Sequence, residues 1–589
     1  MEGTSFSIFD GKVVIRMRDP ICDHPDELVS SRLFLEILKR GVDDLARRKS
    51  PLLNIFAEPD PGAAELRLLA ETLKYLTKLP AEQVVKLEPD AAQFFRDPLL
   101  FNDFTEYLYN YWRHLQRLIV CDMPEEGSDR RPYRTFNRTV EALTHLVRST
   151  YRDIQENITG NHPRIYRQVP AGAAIGAIAA PIELAHPGGV YAEMDGISVI
   201  RQVLIYPPLI FTPPMNKRTG QFVRIDENPL EWVEANPDDW LCYPAKVGER
   251  VILVYFSMKF FELGFAMCNL FELADENDLK RKPDAIFLYG LPEESFRYQG
   301  ESQTVFFDDE ANGMLVGAVP DADRYGYFGY LKKMVLTLHN ISMMKEGRMP
   351  FHGALVNLLV RDRGHFTVLI MGDTGAGKSE TLEALRAIGG LDIQSITIIA
   401  DDMGSLRIGE DGRVLGYGTE TGAFVRLDDL QPGYAFGQID RTIIMSPNQT
   451  NARVVLPVTT FANVVKGFPI DIVLYANNYD PVDDEHAILE WFASPEQALA
   501  VFREGRVMSK GTTTTTGMVA TYFANIFGPP QYRDLHEAIA QEYFAAFYRS
   551  GACVGQFRTR LGVPGMEQSG PEAAARALLE LLKSGKQGC

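Results

Sequence analysis

The chain contains 589 residues, of which 46% are hydrophobic and 23% are charged, and its net charge at pH 7 is −18. This length exceeds that of one ordinary domain and predicts about two to four domains. The composition is typical of a soluble globular protein with an ample core. The diffuse negative charge argues against nucleic acid or an anionic membrane as the main partner, so neither is expected.

Three features predict a cytoplasmic protein. Met1–Asp10 lacks the basic and apolar regions of a signal peptide. The most apolar window, Val251–Leu273, is interrupted by Lys259, Glu262 and Glu272, which favours a buried helix over a membrane span. The cysteines show no metal-type spacing and are interpreted as reduced thiols. They are Cys22, Cys121, Cys242, Cys268, Cys553 and Cys589.

Residues 1–165 are predicted to be largely helical. Apolar residues recur at helical spacing in four segments, and prolines fall between them. These segments are Ser31–Arg47, Ala63–Lys78, Asp103–Leu118 and Asn137–Gln155. Because no chemical motif occurs here, we interpret this region as a packing or assembly domain that would suit a homo-oligomer.

Proline, glycine and β-branched residues become frequent after residue 166, which predicts short strands and loops. Further strands are expected at Ala285–Tyr289 and Thr304–Phe307. A small basic turn, Lys217–Gly220, is interpreted as a solvated loop, with an anion contact as the alternative. Near the end of the chain, helices are predicted over 485–505, 532–548 and Pro571–Lys583.

The stretch from Val368 to Arg386 combines a strand, a glycine loop and a helix. Val368–Met371 is apolar and β-prone, Gly372–Ser379 fits G-x-x-x-x-G-K-[ST], and Glu380–Arg386 favours a helix. This context is the one that a phosphate-binding P-loop requires, whereas a plain glycine turn is the alternative. Backbone N–H groups would surround phosphate oxygens, Lys378 would reach the outer phosphates, and Ser379 would contact a divalent cation. The predicted nucleotide-binding residues are Gly372, Asp373, Thr374, Gly375, Ala376, Gly377, Lys378, Ser379 and Glu380.

Four other features accompany the P-loop. Asp401 and Asp402 end a hydrophobic strand, where acids can hold a metal ion or act as a base. His352 opens the strand before the P-loop strand, and the pair Lys332-Lys333 precedes it. Arg453 enters a later strand and would stabilise charge on a transferred phosphoryl group. Taken singly, the histidine, the lysines and the arginine also have ordinary structural explanations.

In this order the features resemble the phosphoenolpyruvate carboxykinase family, whose catalytic core is shared with HPr kinase/phosphorylase. The resemblance covers about a third of the chain, from Tyr327 to about Phe527. The amino-acid sequence of the P-loop, together with His352-Gly353, is closer to that of HPr kinase. The segments that carry it are Tyr327–Lys333, Arg348–His352, Gly372–Thr381, Ala400–Asp402, Gly416–Gly422, Thr450–Pro457, Ser509–Gly517 and Tyr522–Gly528.

The resemblance implies a role for each matching residue. Lys333, His352 and Asp402 would be metal ligands on the substrate side, and Ser379 would bind the metal of the nucleotide. Asp401 would orient the metal site or act as a base. Lys378 and Arg453 would hold the β/γ-phosphates and the transferred group, and Lys332 joins them as a catalytic candidate. A lysine ligand must be neutral, so its pKa must be lowered by burial and the cation.

Several positions depart from the carboxykinase pattern. Tyr330-Leu331 stand in place of Glu-Met, and Ala400 stands in place of Gly. The lid would be the threonine run Thr512–Thr516. The oxaloacetate-binding Arg-Ser-Pro-Lys-Asp-Lys stretch is missing, and Arg201 or Lys217-Arg218 are the candidates to replace it.

The sequence therefore predicts a mixed α/β protein with a P-loop kinase core. Its expected parts are a helical region at 1–165, an α/β substrate-side domain at 166–325 and a nucleotide-binding catalytic domain at 326–589. The leading hypothesis is a metal-dependent phosphotransferase that moves the γ-phosphate to a small acidic or hydroxylated metabolite. The alternatives are a genuine carboxykinase, a protein serine kinase, and a nucleotide-binding regulatory protein. The expected cofactors are ATP (or GTP or pyrophosphate), Mg²⁺ and Mn²⁺.

Overall fold

The fold is described from a computed structural model. The structure describes residues 4–9, 11–17, 24–58, 60–122, 132–161, 172–206, 209–300, 302–427, 430, 441–510 and 516–585. The chain forms two compact units, of which the first comprises Met1–Pro181 and Ile200–Tyr206 and the second comprises Ile182–Val199 and Pro207–Cys589. Helices and strands are both abundant, which confirms the predicted mixed α/β class. Within the described residues, no helix is long and apolar enough to cross a membrane.

The first unit packs six helices against five strands. The helices are α1 (Pro25–Val29), α2 (Arg32–Arg47), α3 (Ala63–Leu76), α4 (Ala81–Leu87), α5 (Pro98–His114) and α6 (Pro132–Thr159). The strands are β1 (Thr4–Phe9), β2 (Lys12–Met17), β3 (Gln116–Asp122), β4 (Ile175–Ala180) and β5 (Val199–Ile205). They lie side by side in sequence order, with β1 and β2 antiparallel and β2, β3 and β4 parallel.

The helices of the first unit form where apolar residues recur every three to four positions. On α2, Ile37, Leu38 and Leu45 are buried, and the Ser31 side chain caps the helix by accepting from the Phe34 N–H. They join a core that also contains residues of α3, α5 and α6.

The second unit contains the remaining helices and strands. Its helices are α7 (Phe261–Ala266), α8 (Glu276–Leu279), α9 (Phe328–Lys345), α10 (Lys378–Ile388), α11 (Phe461–Val465), α12 (Pro495–Glu504), α13 (Arg533–Arg549) and α14 (Ser569–Ser584). Its first strands are β6 (Leu209–Phe211), β7 (Val223–Ile225), β8 (Trp240–Val247), β9 (Arg250–Ser257), β10 (Glu272–Leu273), β11 (Ala285–Leu291), β12 (Val305–Asp309) and β13 (Met314–Pro320).

Fourteen further strands complete the described part of this unit. They are β14 (Met349–Val360), β15 (Gly364–Met371), β16 (Ile393–Ala400), β17 (Met403–Ile408), β18 (Val414–Gly418), β19 (Gly422–Arg426), β20 (Ile443–Met445), β21 (Arg453–Pro457), β22 (Phe468–Pro469), β23 (Ile472–Asn477), β24 (Leu489–Trp491), β25 (Arg506–Lys510), β26 (Thr516–Ala520) and β27 (Cys553–Arg558).

The sheet that positions the site has the order β22-β18-β17-β14-β15-β23-β27-β24, with β16 beside β14. It is mixed, because β14 and β15 are antiparallel whereas β15, β23 and β27 are parallel. The central strands β14 and β15 are mostly apolar and are buried over most of their length, as expected for strands that are covered on both faces. The loop after β15 and the acids after β16 therefore sit beside the start of β14.

The other strands of the unit form smaller groups. One runs β8-β9-β11-β13-β12-β7, with β10 on β8, and another runs β19-β21-β20-β6. A separate hairpin pairs β25 with β26. Helix α9 is buried almost all round, although it carries the polar residues Lys332, Lys333, His339 and Asn340.

Several sequence-based elements need correction. Val251–Leu273 does not form one buried helix: it begins in strand β9 and continues in short helical turns, because a run of β-branched and aromatic residues suits a buried strand equally well. The helix predicted at Asp103–Leu118 ends at His114, and the β-prone residues from Gln116 onward form β3. The helix predicted over 485–505 is preceded by β24 and begins only at Pro495. The lid predicted at Thr512–Thr516 lies almost entirely outside the described residues.

The cysteine prediction is only partly right. Cys242 and Cys268 are free thiols. Cys553 is disulfide-bonded, so the interpretation of every cysteine as a reduced thiol is wrong at that position.

Candidate functional site

The P-loop follows β15 and opens helix α10, as predicted. Gly375 and Gly377 have φ values of +79° and +93°, a backbone region that glycine enters without strain. Lys378 is buried, and its Nζ donates to the carbonyl oxygens of Gly372 at 2.7 Å and Asp373 at 3.1 Å. The loop therefore already has the wrapped shape that surrounds phosphate oxygens, with its lysine folded over it.

Two residues that the sequence analysis missed form hydrogen bonds to the backbone of this loop. The Thr559 hydroxyl donates to the carbonyl of Ala376 at 2.7 Å, and the Asn478 amide donates to the carbonyl of Gly375 at 2.9 Å. A Cβ atom on Gly377 would lie 2.6 Å from Thr559 Oγ1, so only glycine fits there. Both residues follow strands that are parallel to β15, and that placement in the sheet is not visible in the sequence.

A cleft of about 650 Å³ opens in front of the loop and collects most of the predicted site residues. Its volume lies within the range of cavities that hold small ligands and cofactors. The predicted residues that line it are Lys332, Lys333, His352, Thr374, Gly375, Gly377, Lys378, Ser379, Glu380, Asp401, Asp402 and Arg453. Gly372, Asp373 and Ala376 support the loop but do not line the cleft.

Asp402 is the centre of the polar cluster in this cleft. Its Oδ2 lies 2.9 Å from the Nζ atoms of both Lys332 and Lys333, and its Oδ1 lies 3.0 Å from His352 Nε2. The backbone brings these groups together, since the Asp402 carbonyl accepts from the Gly353 N–H at 2.9 Å. Residues separated by up to 70 positions in the sequence thus share one carboxylate.

The electrostatics of the cluster follow from burial and from the two lysines. Burial alone would raise the pKa of Asp402, but the charges of Lys332 and Lys333 and the hydrogen bond with His352 outweigh it and hold the pKa well below its ordinary value. Burial, aided by the charge of Lys332, lowers the pKa of Lys333 despite the nearby Asp402. A lysine that binds a metal must be neutral, and the lowered pKa of Lys333 favours its neutral form.

Lys332 differs from its neighbour because it has a second carboxylate. Its Nζ lies 3.0 Å from Glu420 Oε1 as well as 2.9 Å from Asp402, and these two charges raise its pKa although burial opposes them. Burial raises the pKa of Glu420 to about 7. The sequence analysis assigned no role to Glu420, which lies between β18 and β19 within the segment Gly416–Gly422. Lys332 is thus a fixed cation, whereas Lys333 is the lysine whose proton is more easily lost.

His352 is oriented so that one ring nitrogen faces Asp402. Its Nδ1 donates to the carbonyl of Ala524, because a carbonyl oxygen can only accept. Nε2 then lies 3.0 Å from Asp402 Oδ1, a spacing at which a nitrogen and an oxygen can bind the same cation. Lys333 Nζ lies 2.9 Å from Oδ2 of the same carboxylate, so the three side chains predicted to bind the substrate-side metal are adjacent.

This donor set is an unusual one. Among the described residues, no group of three or more His, Cys, Asp and Glu side chains is arranged to hold a metal ion. The set at Asp402 has two such side chains, and its third predicted ligand is a lysine. The metal prediction for Lys333, His352, Ser379 and Asp402 therefore stays a prediction.

Asp401 lines the cleft between this cluster and the P-loop. Burial raises the pKa of its carboxyl group, and the charges of Lys332 and Lys378 only partly offset that effect. A carboxylate with a raised pKa, close to a phosphate-binding loop, is suited to accept a proton from an attacking hydroxyl group. Its predicted role as a base agrees with this position.

Arg453 reaches the cleft from the first residue of β21. Its guanidinium carbon lies 5.4 Å from the ring centre of Phe424. The loop before it is tied to the basic turn by two amide hydrogen bonds: Asn216 donates to the carbonyl of Thr450 at 2.8 Å, and Asn451 donates to the carbonyl of Asn216 at 2.5 Å. Arg453 and the basic turn are therefore held in a fixed relation.

The basic turn is not simply a solvated loop, as the sequence suggested. Arg218 lines the cleft, and its guanidinium carbon lies 5.2 Å from the ring centre of Phe222 and 5.6 Å from that of Phe527. Burial lowers the pKa of Arg218. Lys217 lines the cleft as well, whereas Arg201, the other candidate, is not among the described lining residues. The interpretation as a solvated loop is thus wrong for Arg218.

A strained turn completes the cleft on the side of His352. Phe523, Ala524 and Asn525 have φ values of +45°, +59° and +62°, and each such non-glycine residue costs on the order of 1 kcal/mol. The turn directs the Ala524 carbonyl to His352 and brings Asn525 and Phe527 to the cleft. It is fixed by Asn340, whose amide donates to the Phe527 carbonyl at 2.7 Å.

The comparisons with known proteins leave the family open. No protein-family model matches the chain, and no curated protein matches it significantly. The geometry of the site is therefore the basis for the function proposed below.

Proposed function

We propose that this protein is a metal-dependent P-loop phosphotransferase that moves the γ-phosphate of a nucleotide to a small acidic or hydroxylated metabolite. The proposal rests on one observation: a single cleft contains the P-loop lysine, a buried base candidate, a metal-type donor set and four arginines, of which Arg218 and Arg453 are used below. Phosphoryl transfer depends mainly on positioning and on stabilising negative charge, and this set of groups is suited to both.

Each group has a defined task in this proposal. The P-loop N–H groups and Lys378 bind the outer phosphates, with Ser379 near the metal of the nucleotide. Asp401 accepts the proton of an attacking hydroxyl group, and Arg453 stabilises the equatorial oxygens of the transferred group. Lys333, His352 and Asp402 would hold a second divalent ion, which supplies Lewis-acid stabilisation of a substrate oxygen when bound.

The charges at the far side of the cleft favour an acidic acceptor. Arg218 lies between two phenyl rings, and the structure records no carboxylate partner for it among the described residues. A guanidinium group in such a place binds a planar carboxylate or a phosphate through paired hydrogen bonds. We therefore place the acid group of the metabolite beside Arg218 and its reacting oxygen toward Arg453.

The first experiment compares the native protein with Lys378→Ala. ATP binding is measured by calorimetry with Mg²⁺, and transfer from γ-labelled ATP is followed with a panel of carboxylic and hydroxycarboxylic acids in Mg²⁺ and Mn²⁺. We expect Lys378→Ala to abolish both signals. Lys280→Ala, at an exposed lysine outside the cleft, serves as the matched control and should change neither. Intact binding and transfer in Lys378→Ala would refute the proposal.

A second candidate function is a genuine carboxykinase that interconverts oxaloacetate and phosphoenolpyruvate. It is favoured by the arrangement of Lys333, His352 and Asp402, together with Arg218 in the position of a carboxylate binder. Phosphoenolpyruvate, bicarbonate and ADP, GDP or phosphate are incubated with Mn²⁺ and Mg²⁺, and oxaloacetate is measured. Oxaloacetate that disappears in His352→Ala and Asp402→Asn would favour this candidate over the first. Its absence, with ATP binding intact, would leave the first candidate.

A further inference from the structure

The first unit contains an apolar cavity of about 430 Å³ that has no part in the function proposed above. It is bounded by the inner faces of α2, α5 and α6 and by strands β1 and β2. The residues that line it include Phe6, Ile15, Phe34, Leu108, Trp112 and Leu143. Protein interiors are normally packed with few voids larger than a water molecule, so a cavity of this size is a candidate ligand site.

One polar group in the wall of the cavity lacks a hydrogen bond. Thr150 on α6 is 3% exposed, and its Oγ1 is buried without a hydrogen-bond partner. Thr144 and Thr159 on the same helix donate to the carbonyl four residues earlier, at 3.0 Å and 2.9 Å. Thr105, which also lines the cavity, does so at 3.0 Å. Thr150 is thus the exception among its described neighbours.

A buried hydroxyl group without a partner is unfavourable, which calls for an explanation. Thr150 itself lines the cavity, and threonine has two accessible χ1 rotamers in a helix, so its hydroxyl group has some freedom of position. A ligand with a hydroxyl or keto oxygen would supply the missing hydrogen bond.

The second polar feature is Arg32 in the lining at the start of α2. Its side chain is exposed, and it is the only charged residue among the described ones that line the cavity. The structure records no ion pair for it within the described part of the chain. Because Arg32 is the first residue of a 16-residue helix, the partial positive charge of the helix N-terminus adds to its own charge. An anionic group would be stabilised there.

We propose that this cavity binds an elongated apolar carboxylic acid that carries one further hydroxyl or keto oxygen. The carboxylate contacts Arg32, the alkyl or aromatic body fills the apolar interior, and the second oxygen contacts Thr150. The proposal concerns the first unit alone and is independent of nucleotide chemistry.

The test is a set of titrations of the full-length protein by calorimetry, below the micelle-forming concentration of each probe. The probes are decanoate, decanol, 3-hydroxydecanoate and 10-hydroxydecanoate. Decanoate should bind about tenfold or more tightly than decanol, and Arg32→Gln should remove that difference because a charge-assisted contact is lost. Equal affinity of the native protein for decanoate and decanol would overturn the carboxylate assignment.

The role of Thr150 is tested by a difference between matched variants. At least one hydroxydecanoate should bind about three- to tenfold more tightly than decanoate, as one hydrogen bond allows. Thr150→Val should abolish this gain, and the control Thr144→Val should preserve it. If no hydroxydecanoate binds more tightly, or if both variants behave alike, the Thr150 contact is refuted.

A cavity-filling variant separates specific binding from adsorption. Leu143→Phe reduces the volume of the cavity and should weaken the binding of every probe, while an unchanged far-UV circular dichroism spectrum and a cooperative thermal unfolding transition report that the protein is folded. Unchanged binding in Leu143→Phe, or no saturable binding of any probe to the native protein, would overturn the site.

Discussion

The polar cleft of the second unit and the apolar cavity of the first unit differ in whether their buried polar groups have partners. In the cleft, one carboxylate is shared by two lysines and a histidine, and a second carboxylate holds Lys332 from behind. In the cavity, a single hydroxyl group is buried without a partner. The cleft is therefore organised before any ligand arrives, whereas the cavity is completed only by a ligand.

This difference predicts how each region responds to substitution. Removing a charge from the cleft leaves other buried charges uncompensated, so activity and stability should fall together. Removing the hydroxyl group from the cavity should improve stability and weaken only ligand binding.

The largest effect is expected at Arg453. Arg453→Met removes the guanidinium group that would stabilise the transferred phosphoryl group, and arginines in this role contribute about 10³-fold or more to the rate. We expect the rate of phosphate release or transfer from ATP to fall by about that factor, while the affinity for ATP changes little. The measurement combines single-turnover kinetics with γ-labelled ATP and calorimetry.

Arg413→Met is the control for this prediction, because Arg413 is an exposed arginine outside the cleft. Its rate should match that of the native protein. If Arg453→Met retained the native rate, Arg453 would not be a catalytic residue and the cleft would lose its main source of charge stabilisation.

The second prediction concerns the stability of the cleft. Lys332→Met leaves Asp402 and Glu420 side by side without the cation that lies 2.9 Å and 3.0 Å from them. Breaking a buried ion pair on one side typically costs about 3–5 kcal/mol of unfolding free energy. Urea unfolding followed by tryptophan fluorescence should show a loss of this order.

Adding Glu420→Gln to Lys332→Met tests the cause of that loss. The double variant has one fewer uncompensated carboxylate, so it should recover part of the lost stability. Lys280→Met, at an exposed lysine, should change the unfolding free energy by less than about 0.5 kcal/mol. A loss below about 1 kcal/mol in Lys332→Met would contradict the view that the cluster is held by its buried charges.

How much of this site was visible in the sequence depends on the distance over which its groups interact. The strand, loop and helix around Gly372–Ser379 are set by local rules, and the structure agrees with them. The sequence showed only the order of Lys333, His352, Asp402 and Arg453 along the chain. In the structure, all four residues line the same cleft.

Other residues gave no signal because their roles depend on long-range packing. Glu420 meets Lys332 across 88 positions, and Thr559 supports the P-loop from 183 positions away. Arg218 reaches the cleft because hydrogen bonds from the side-chain amides of two asparagines connect its turn to the loop before Arg453. The segment Val251–Leu273 was misread for a different reason, since a buried strand and a buried helix can have the same apolar composition.

The third prediction concerns His339, a buried histidine on α9. Burial lowers the pKa of His339 to about 3, although its contact with Asn340 opposes this. The folded protein therefore keeps His339 neutral, while the unfolded chain takes up a proton below about pH 6.5. The contribution of His339 to stability is complete above that pH and is lost as the pH falls toward about 3.

This linkage can be measured as a slope. Between pH 6.5 and 4.5 the native protein should lose up to about 1.4 kcal/mol of unfolding free energy per pH unit because of His339. His339→Gln should reduce the slope by that amount whatever its effect on absolute stability, and His114→Gln, at an exposed histidine, should leave the slope unchanged. An unaltered slope in His339→Gln would mean that His339 is not kept neutral by the fold.

The smallest effect is expected in the cavity of the first unit, and its sign is the informative quantity. Thr150→Val replaces an unpartnered buried hydroxyl group by a methyl group of similar shape, so it should raise the stability of α6 by about 0.5–1 kcal/mol. Thr144→Val removes a hydroxyl group that donates at 3.0 Å and should lower it by a similar amount. Hydrogen exchange of the α6 amides without ligand measures both changes. If a ligand completes the cavity, Thr150→Val should stabilise α6 without ligand and destabilise it, relative to the native protein, when a hydroxydecanoate is present. Destabilisation by Thr150→Val in the absence of ligand would show that Thr150 already has a partner.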